Sequence, residues 1–168
     1  MNQPSLILRC GGQSVALSLE TVVEVTRMVA PAAALPRAPR YCLGAVDYHG
    51  QLVLLLDLGA RLGRCAPRSA IELVDGRLVF VRAPAGLIAL AVDEVPELSE
   101  RPIEPLGAVE PTLVGLLLGV VRWREGEAAP VLLPGALLPV GAGARLHRLV
   151  AEVAAAPARA PEREGSEP

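Results

Sequence analysis

An internal repeat constrains the fold of this chain more than any other feature of its sequence. The stretch VALSLETVVEV at residues 15–25 resembles IALAVDEVPEL at residues 88–98. Two further matches follow in the same order, LGAV (43–46) with VGLL (114–117) and LLLDLGARL (54–62) with VLLPGALL (131–138). The repeat predicts two similar units that pack on each other, because a unit of about 70 residues buries little apolar surface alone.

Short apolar runs separated by glycine and proline predict that these units are built from β-strands. Apolar residues make up 52% of the chain but aromatic residues only 2%, so the core must consist of aliphatic side chains. The continuous apolar runs LVLLL (52–56) and LIALAV (87–92) predict strands that are buried on both faces. The predicted strands cover residues 5–10, 13–19, 22–28, 42–48, 51–56, 71–75, 77–83, 86–92, 95–99, 113–123 and 129–133.

Helical periodicity is clear only near the end of the chain. Leu146, Leu149, Val150 and Val153 recur at the spacing of one helix face, which predicts an amphipathic helix over 143–155. Asp57 is a suitable N-cap for a single helical turn in the sequence LGARLG. The sequence thus predicts one all-β domain over 5–155, with a first barrel at 1–66, a second barrel at 67–142, the helix at 143–155 and a disordered tail at 156–168.

The segment DYHGQ, residues 47–51, is the first place to look for a catalytic or metal site. In a strand, Asp47 and His49 would share a face, as an aspartate-oriented imidazole requires. Gly50 instead predicts a tight turn with His49 at an exposed corner. The only other histidine is His147, and the sequence contains no CxxC pair, no G-x-S-x-G segment and no glycine-rich phosphate loop. The residues therefore favour a protein that is not an enzyme, with no metal and no cofactor.

Composition disfavours two further classes of partner. The formal net charge of −2 argues against nucleic acid, because neutralising phosphates requires a basic face. No apolar run approaches the roughly 20 residues needed to cross a bilayer, so we expect no direct membrane insertion. The first residues lack the basic start and apolar centre of a signal peptide, and we therefore expect a cytoplasmic protein.

The order of motifs resembles the CheW family of chemotaxis adaptors. VVEVTR (22–27) is followed by LPRAPRYCLGAVDYHGQLVLLLDLGARLG (35–63), which is similar to the family's proline loop, turn and apolar strand. GLIALAVDEVPELSE (86–100) and LVGLLLGVVRWREGEAAPVLLPGALL (113–138) resemble its later strands. The resemblance implies two packed, intertwined five-stranded SH3-like barrels. It also implies an adaptor without catalysis, which couples the cytoplasmic tips of methyl-accepting chemoreceptors to the regulatory domain of a CheA-type histidine kinase in a bacterial chemosensory array.

The same resemblance implies contact residues for both partners. The chemoreceptor's helical hairpin is expected to bind in a groove between the barrels, at Val22, Glu24, Gly44, His49, Leu87 and Ile88. The kinase is expected to contact the strand residues Leu52, Val53 and Leu54.

Three residues depart from the family motif in this region. His49 stands where the family's N-L-R-G turn has arginine, Asp47 replaces the asparagine of that turn, and Leu54 replaces a proline of the next strand. These departures motivate an alternative, a divergent paralogue that binds receptor but little or no kinase in a motility or developmental system. A CheW-like module of a non-chemotaxis assembly and a small enzyme built on paired barrels are further hypotheses, and a bound metal or nucleotide would favour the enzyme.

Overall fold

The computed structural model describes residues 3–106, 116–138 and 142–156. In chain order the strands are β1 (Ser5–Cys10), β2 (Gln13–Ser18), β3 (Val22–Arg27), β4 (Cys42–Tyr48), β5 (Gln51–Asp57), β6 (Arg77–Ala83), β7 (Gly86–Val92), β8 (Glu94–Ser99), β9 (Ile103–Glu104), β10 (Leu117–Arg124) and β11 (Glu127–Leu132). The α-helices are α1 (Leu58–Arg61) and α2 (Ala142–Ala155), and short 3-10 turns occupy Leu19–Thr21 and Pro134–Ala136.

The strands form two sheets, and each sheet takes strands from both halves of the chain. Sheet A has the order β8-β1-β2-β11-β10-β9, and sheet B has the order β3-β6-β7-β5-β4. The predicted all-β fold with two packed barrels and a C-terminal helix is confirmed, with the two-residue β9 as an additional strand. The predicted boundary at 66/67 does not coincide with the division between the sheets, because β1 and β2 join the later strands of sheet A while β6 and β7 join sheet B.

The internal repeat explains this exchange of strands. One copy, residues 15–25, spans β2 and β3, and the other, residues 88–98, spans β7 and β8. In both copies the first strand lies in one sheet and the second strand in the other. Each sheet also contains one parallel strand pair at the corresponding position of the repeat. In sheet A this pair is β11 with β2, and in sheet B it is β5 with β7. Neither repeat completes a sheet without a strand from the other, so the barrels are intertwined.

Alternating side chains of the central strands pack into different apolar clusters. Leu54 and Leu56 face the main core between the sheets, whereas Leu55 faces the interior of sheet B. Trp123, only 3% exposed, belongs to a third cluster inside sheet A. The run 52–56 is continuously apolar because both faces of its strand are buried. Trp123 is accordingly a core residue.

The other predicted strands agree closely with the structure, but the strand at 71–75 is wrong. This segment forms turns, in which the Gly76 amide donates to the carbonyl of Leu73 at 2.8 Å. Ser69 and Glu72 cap the turns reciprocally, because the Ser69 amide donates to Glu72 Oε2 at 2.6 Å and the Glu72 amide to Ser69 Oγ at 3.3 Å. The predicted start of a strand at 113 and the predicted tail beyond residue 156 lie outside the described residues.

Helix α2 confirms the predicted C-terminal helix. Leu146 and Val150 are buried against the main core. The ring of His147 lies over Gly86, and burial lowers the pKa of this imidazole from its usual value. The predicted single turn after Asp57 is α1, where Asp57 Oδ1 accepts from the Ala60 amide at 3.3 Å.

A buried ion-pair network connects sheet B to sheet A. Asp57, at the end of β5, is fully buried and receives two hydrogen bonds from the guanidinium of Arg68, at 2.8 Å from Nη2 and 3.1 Å from Nε. Arg68 also donates to Asp93, between β7 and β8, and hydrogen bonds to both carboxylates raise the pKa of Arg68 above its usual value. Asp93 Oδ2 accepts from the Gly11 amide at 2.8 Å. The network therefore joins β5, the 62–76 linker, the β7–β8 crossing and the β1–β2 turn.

We predict that Arg68→Met destabilises the protein by about 3 kcal/mol, because it leaves two carboxylates partly or fully buried without their counter-ion. Urea unfolding followed by circular dichroism measures this loss. Arg122→Met is the matched control, because Arg122 pairs with Glu104 at 3.3 Å on the exposed surface. Its cost should stay below about 1 kcal/mol. Equal losses in the two variants would contradict a special role for the network.

Candidate functional site

The DYHG sequence forms the turn between β4 and β5. His49 and Gly50 both have positive φ, 50° and 85°, as a type I′ hairpin turn requires. The His49 side chain projects into solvent and is 76% exposed. The predicted tight turn with His49 at an exposed corner is confirmed.

His49 pairs with Glu24 of β3, and not with Asp47. The distance from His49 Nε2 to Glu24 Oε2 is 3.6 Å. Asp47 is exposed, and within the described ranges it forms no ion pair. Because β3 and β4 are the first and last strands of sheet B, the contact between Glu24 and His49 shows that this sheet curls into a barrel. The geometry for an aspartate-oriented catalytic imidazole is not formed.

A cleft of about 320 Å³ lies between β3 and the β4–β5 turn. We call it the edge cleft, and it is lined by Glu24, Thr26, Arg27, Val29, Asp47, Tyr48, His49, Leu78 and Phe80. The Tyr48 ring lies 4.4 Å from Phe80 and 4.5 Å from His49, between ring centres. A hydrogen bond to Glu24 raises the pKa of the Tyr48 hydroxyl from its usual value. The edge cleft thus combines an aromatic wall with a charged rim.

A second cleft, of about 410 Å³, lies between α1 and strands β2, β10 and β11. We call it the α1 groove, and it is lined by Val15, Arg61, Leu62, Arg64, Leu116, Leu117, Pro130, Leu132, Ala136 and Leu137. Arg61 fixes one wall, because it donates to the carbonyls of Ala136, at 3.3 Å, and Leu137, and lies 5.4 Å from the centre of the Tyr41 ring. The sequence predicted a groove between the barrels but none of the residues that line this one, although the repeated segments 54–62 and 131–138 both contribute to it and could have indicated them.

The structure places two of the six predicted receptor contacts in one accessible cleft. Glu24 and His49 share the edge cleft. The remaining four pack inward, with Val22 and Leu87 half-buried against the core clusters and Gly44 and Ile88 buried. A role in receptor contact stays a prediction for this set, and the side chain of Ile88 is enclosed by the main core.

The three predicted kinase contacts lie on β5 and are mostly enclosed. Val53 and Leu54 are buried, whereas Leu52 is half-buried. Leu54 pairs with Ala45 on one side and Ile88 on the other, and its side chain packs in the main core. Leu52 is the cross-strand neighbour of Asp47, which lines the edge cleft. The accessible part of this strand therefore adjoins the same cleft.

Gly44 is needed because another segment of the chain crosses directly over it. Its φ is 129°, and a Cβ atom added there would lie 2.3 Å from the carbonyl oxygen of Ala33. Ala33 also forms an isolated β-bridge with Ala45. Because Gly44 has no side chain, the proline-rich loop that contains Ala33 can lie directly against β4. Gly44 is close in sequence to the residues of the edge cleft, but it is itself buried.

We predict that Gly44→Ala costs roughly 3 kcal/mol, because it adds a backbone clash to an unfavourable φ. Thermal and urea unfolding measure the change. Gly50→Ala is the control, since Gly50 also has positive φ but a Cβ there meets nothing within 4 Å. That substitution should cost only about 1 kcal/mol. A smaller loss for Gly44→Ala than for Gly50→Ala would show that the loop yields without strain.

The cysteines of the described region are poorly suited to nucleophilic chemistry. Burial raises the pKa of Cys10 to about 12 and that of Cys42 to about 11, so both remain protonated thiols at neutral pH. Among the described residues, no group of three or more His, Cys, Asp or Glu side chains is arranged to hold a metal ion. No helix in these ranges is long and apolar enough to cross a membrane.

Comparison with known proteins identifies related domains. The family model described as a CheW-like domain matches residues 4–140. A curated relative, the chemotaxis protein CheW of Rhizobium meliloti, is 30% identical over 100 residues, which are 60% of this chain and 64% of that protein. The probable chemotaxis protein CheW of Rhizobium etli is 31% identical over 101 residues, with the same coverage of 60% and 64%. The chain thus spans 64% of the length of these curated relatives.

A solved structure has the same fold. The scaffolding protein TtCheW from Thermoanaerobacter tengcongensis superposes with a TM-score of 0.70, and the match covers 84% of this chain and 91% of that protein. The sequences are 21% identical, so this likeness concerns the fold. It supports the two intertwined barrels described above.

Proposed function

We propose that this chain, which belongs to the family of CheW-like domains, is a non-enzymatic adaptor that couples chemoreceptors to a CheA-type histidine kinase. The observation that carries the proposal is the family match over residues 4–140, which includes strands from both sheets and both clefts. An adaptor must hold two partners at once, and the edge cleft and the α1 groove are formed by different elements. The relatives named as chemotaxis proteins favour the same function.

The α1 groove is the better candidate for the receptor's helical hairpin. A helix that docks in a groove buries one apolar stripe, and this groove offers side chains of Val15, Leu62, Leu117 and Leu132. The partly exposed Leu116 extends the apolar wall. We therefore place the receptor contact here, away from the six residues that the family resemblance implied.

The edge cleft is the better candidate for the kinase's regulatory domain, which the family resemblance implies to be a pair of barrels as well. β3 is hydrogen-bonded to a single neighbour, and exposed strand edges are natural contacts between barrels. Glu24 and His49 lie at this edge, and Leu52, implied as a kinase contact, is the neighbour of Asp47. On this proposal Glu24 and His49 face the kinase. On this proposal, binding to both partners brings the protein to cytoplasmic receptor arrays. The protein binds no nucleic acid and does not insert into the membrane.

Calorimetric titration tests the proposal against two partners from the same organism, a chemoreceptor cytoplasmic hairpin and the kinase's CheW-like regulatory domain. We expect micromolar or tighter binding to both. Binding to the receptor alone would identify the divergent paralogue, in which the substitutions at Asp47, His49 and Leu54 have weakened kinase contact. Binding to neither partner would refute the adaptor function and leave the fold unaffected.

We predict that Leu116→Gln weakens receptor binding by tenfold or more, which corresponds to about 1.4 kcal/mol. The polar amide would replace apolar surface in the α1 groove. Leu118→Gln is the matched control, because Leu118 is similarly exposed, 44% against 36%, but does not line the groove. The same titration measures both variants. Equal effects of the two substitutions would place the receptor elsewhere.

A further inference from the structure

The charges of the edge cleft do not balance. Its rim carries two carboxylates, Glu24 and Asp47, and one guanidinium, Arg27. The partner of Glu24 is His49, whose imidazole neutralises it only when protonated. Histidine, unlike arginine, carries no permanent charge. The permanent charges of the rim therefore sum to one net negative charge.

Two observations show that this negative charge is open to a partner. Asp47 is exposed, and the described part of the chain offers it no ion pair. The Glu24 side chain is 41% exposed. Both carboxylates of the rim are therefore accessible from solvent.

The apolar part of the cleft adds a second requirement. Val29 is 48% exposed beside the rim, and the rings of Tyr48 and Phe80 form the wall. A side chain with a long aliphatic stem and a cationic head satisfies both parts, because its stem covers apolar surface while its head reaches a carboxylate. Lysine and arginine have this form.

We propose that the edge cleft receives a lysine or arginine side chain of the kinase's regulatory domain, with Asp47 and Glu24 as its anionic partners. His49, which carries no permanent charge, leaves Glu24 available to this cation. This inference rests on the proposed function and specifies the chemistry of one of its two contacts. A permanent cation at position 49 would compete with the partner's cation for Glu24. Position 49 thus determines specificity, and this chain selects a partner with a basic contact residue.

The test is titration of the regulatory domain at pH 8 into the wild type, His49→Arg, His49→Gln and Asp47→Asn. The two changes at position 49 form a matched pair, since both residues must adopt the same positive φ but only arginine is charged. We expect Asp47→Asn to weaken binding about fivefold, and His49→Arg to bind about fivefold more weakly than His49→Gln. Wild-type binding should also weaken between 50 and 300 mM salt. Thermal unfolding of each variant verifies that the fold is retained.

Each other outcome contradicts the inference in a distinguishable way. Tighter binding by His49→Arg would show that the partner presents an acidic group to the cleft. Wild-type affinity in all three variants would show that the kinase docks elsewhere, while the adaptor function stands. No binding of the regulatory domain by the wild type would refute the kinase contact itself, and with it the inference.

Discussion

The pairing of Arg68 with Asp57 is the constraint on which the arrangement of the two sheets depends. Asp57 has no exposed surface, so its charge is sustained only by the two guanidinium hydrogen bonds and by backbone amides of Ala60 and Arg68. Buried ion pairs contribute little net stability relative to apolar residues, but a broken pair is costly. The network joins the 62–76 linker to Asp57 at the end of β5 and to Asp93, where the chain passes from sheet B to sheet A.

Asp57 has no acidic counterpart in the other repeat, and this makes the two units different. In the repeat, Asp57 corresponds to Pro134, which starts a 3-10 turn where Asp57 starts α1. The edge contacts differ as well. Glu24 meets His49 at 3.6 Å, whereas the corresponding Glu97 meets Arg124, a permanent cation, at 3.9 Å. Similar backbones with different charges therefore give the edges of the two sheets dissimilar charge patterns.

The predicted contact residues differ in how far the core encloses them. Gly44, Ile88, Val53 and Leu54 belong to the interior, where they hold the loop and the sheets in place. The residues with accessible chemistry lie at strand edges and turns, on a rigid scaffold. A family motif therefore contains both enclosed and accessible residues, and burial distinguishes the two groups.

The sequence by itself determined the strands, the β4–β5 turn, the α1 cap and the amphipathic α2, because each depends on local periodicity or on a single φ requirement. The repeat also predicted two similar units. It did not reveal that β3 and β8 are exchanged between sheets, since strand pairing over such separations depends on which faces bury together. Three features are visible only in the tertiary structure. Glu24 lies beside His49, residues 71–75 form turns and no strand, and the α1 groove lies between α1 and strands of sheet A. These features arise from contacts between distant segments, which local pattern does not encode.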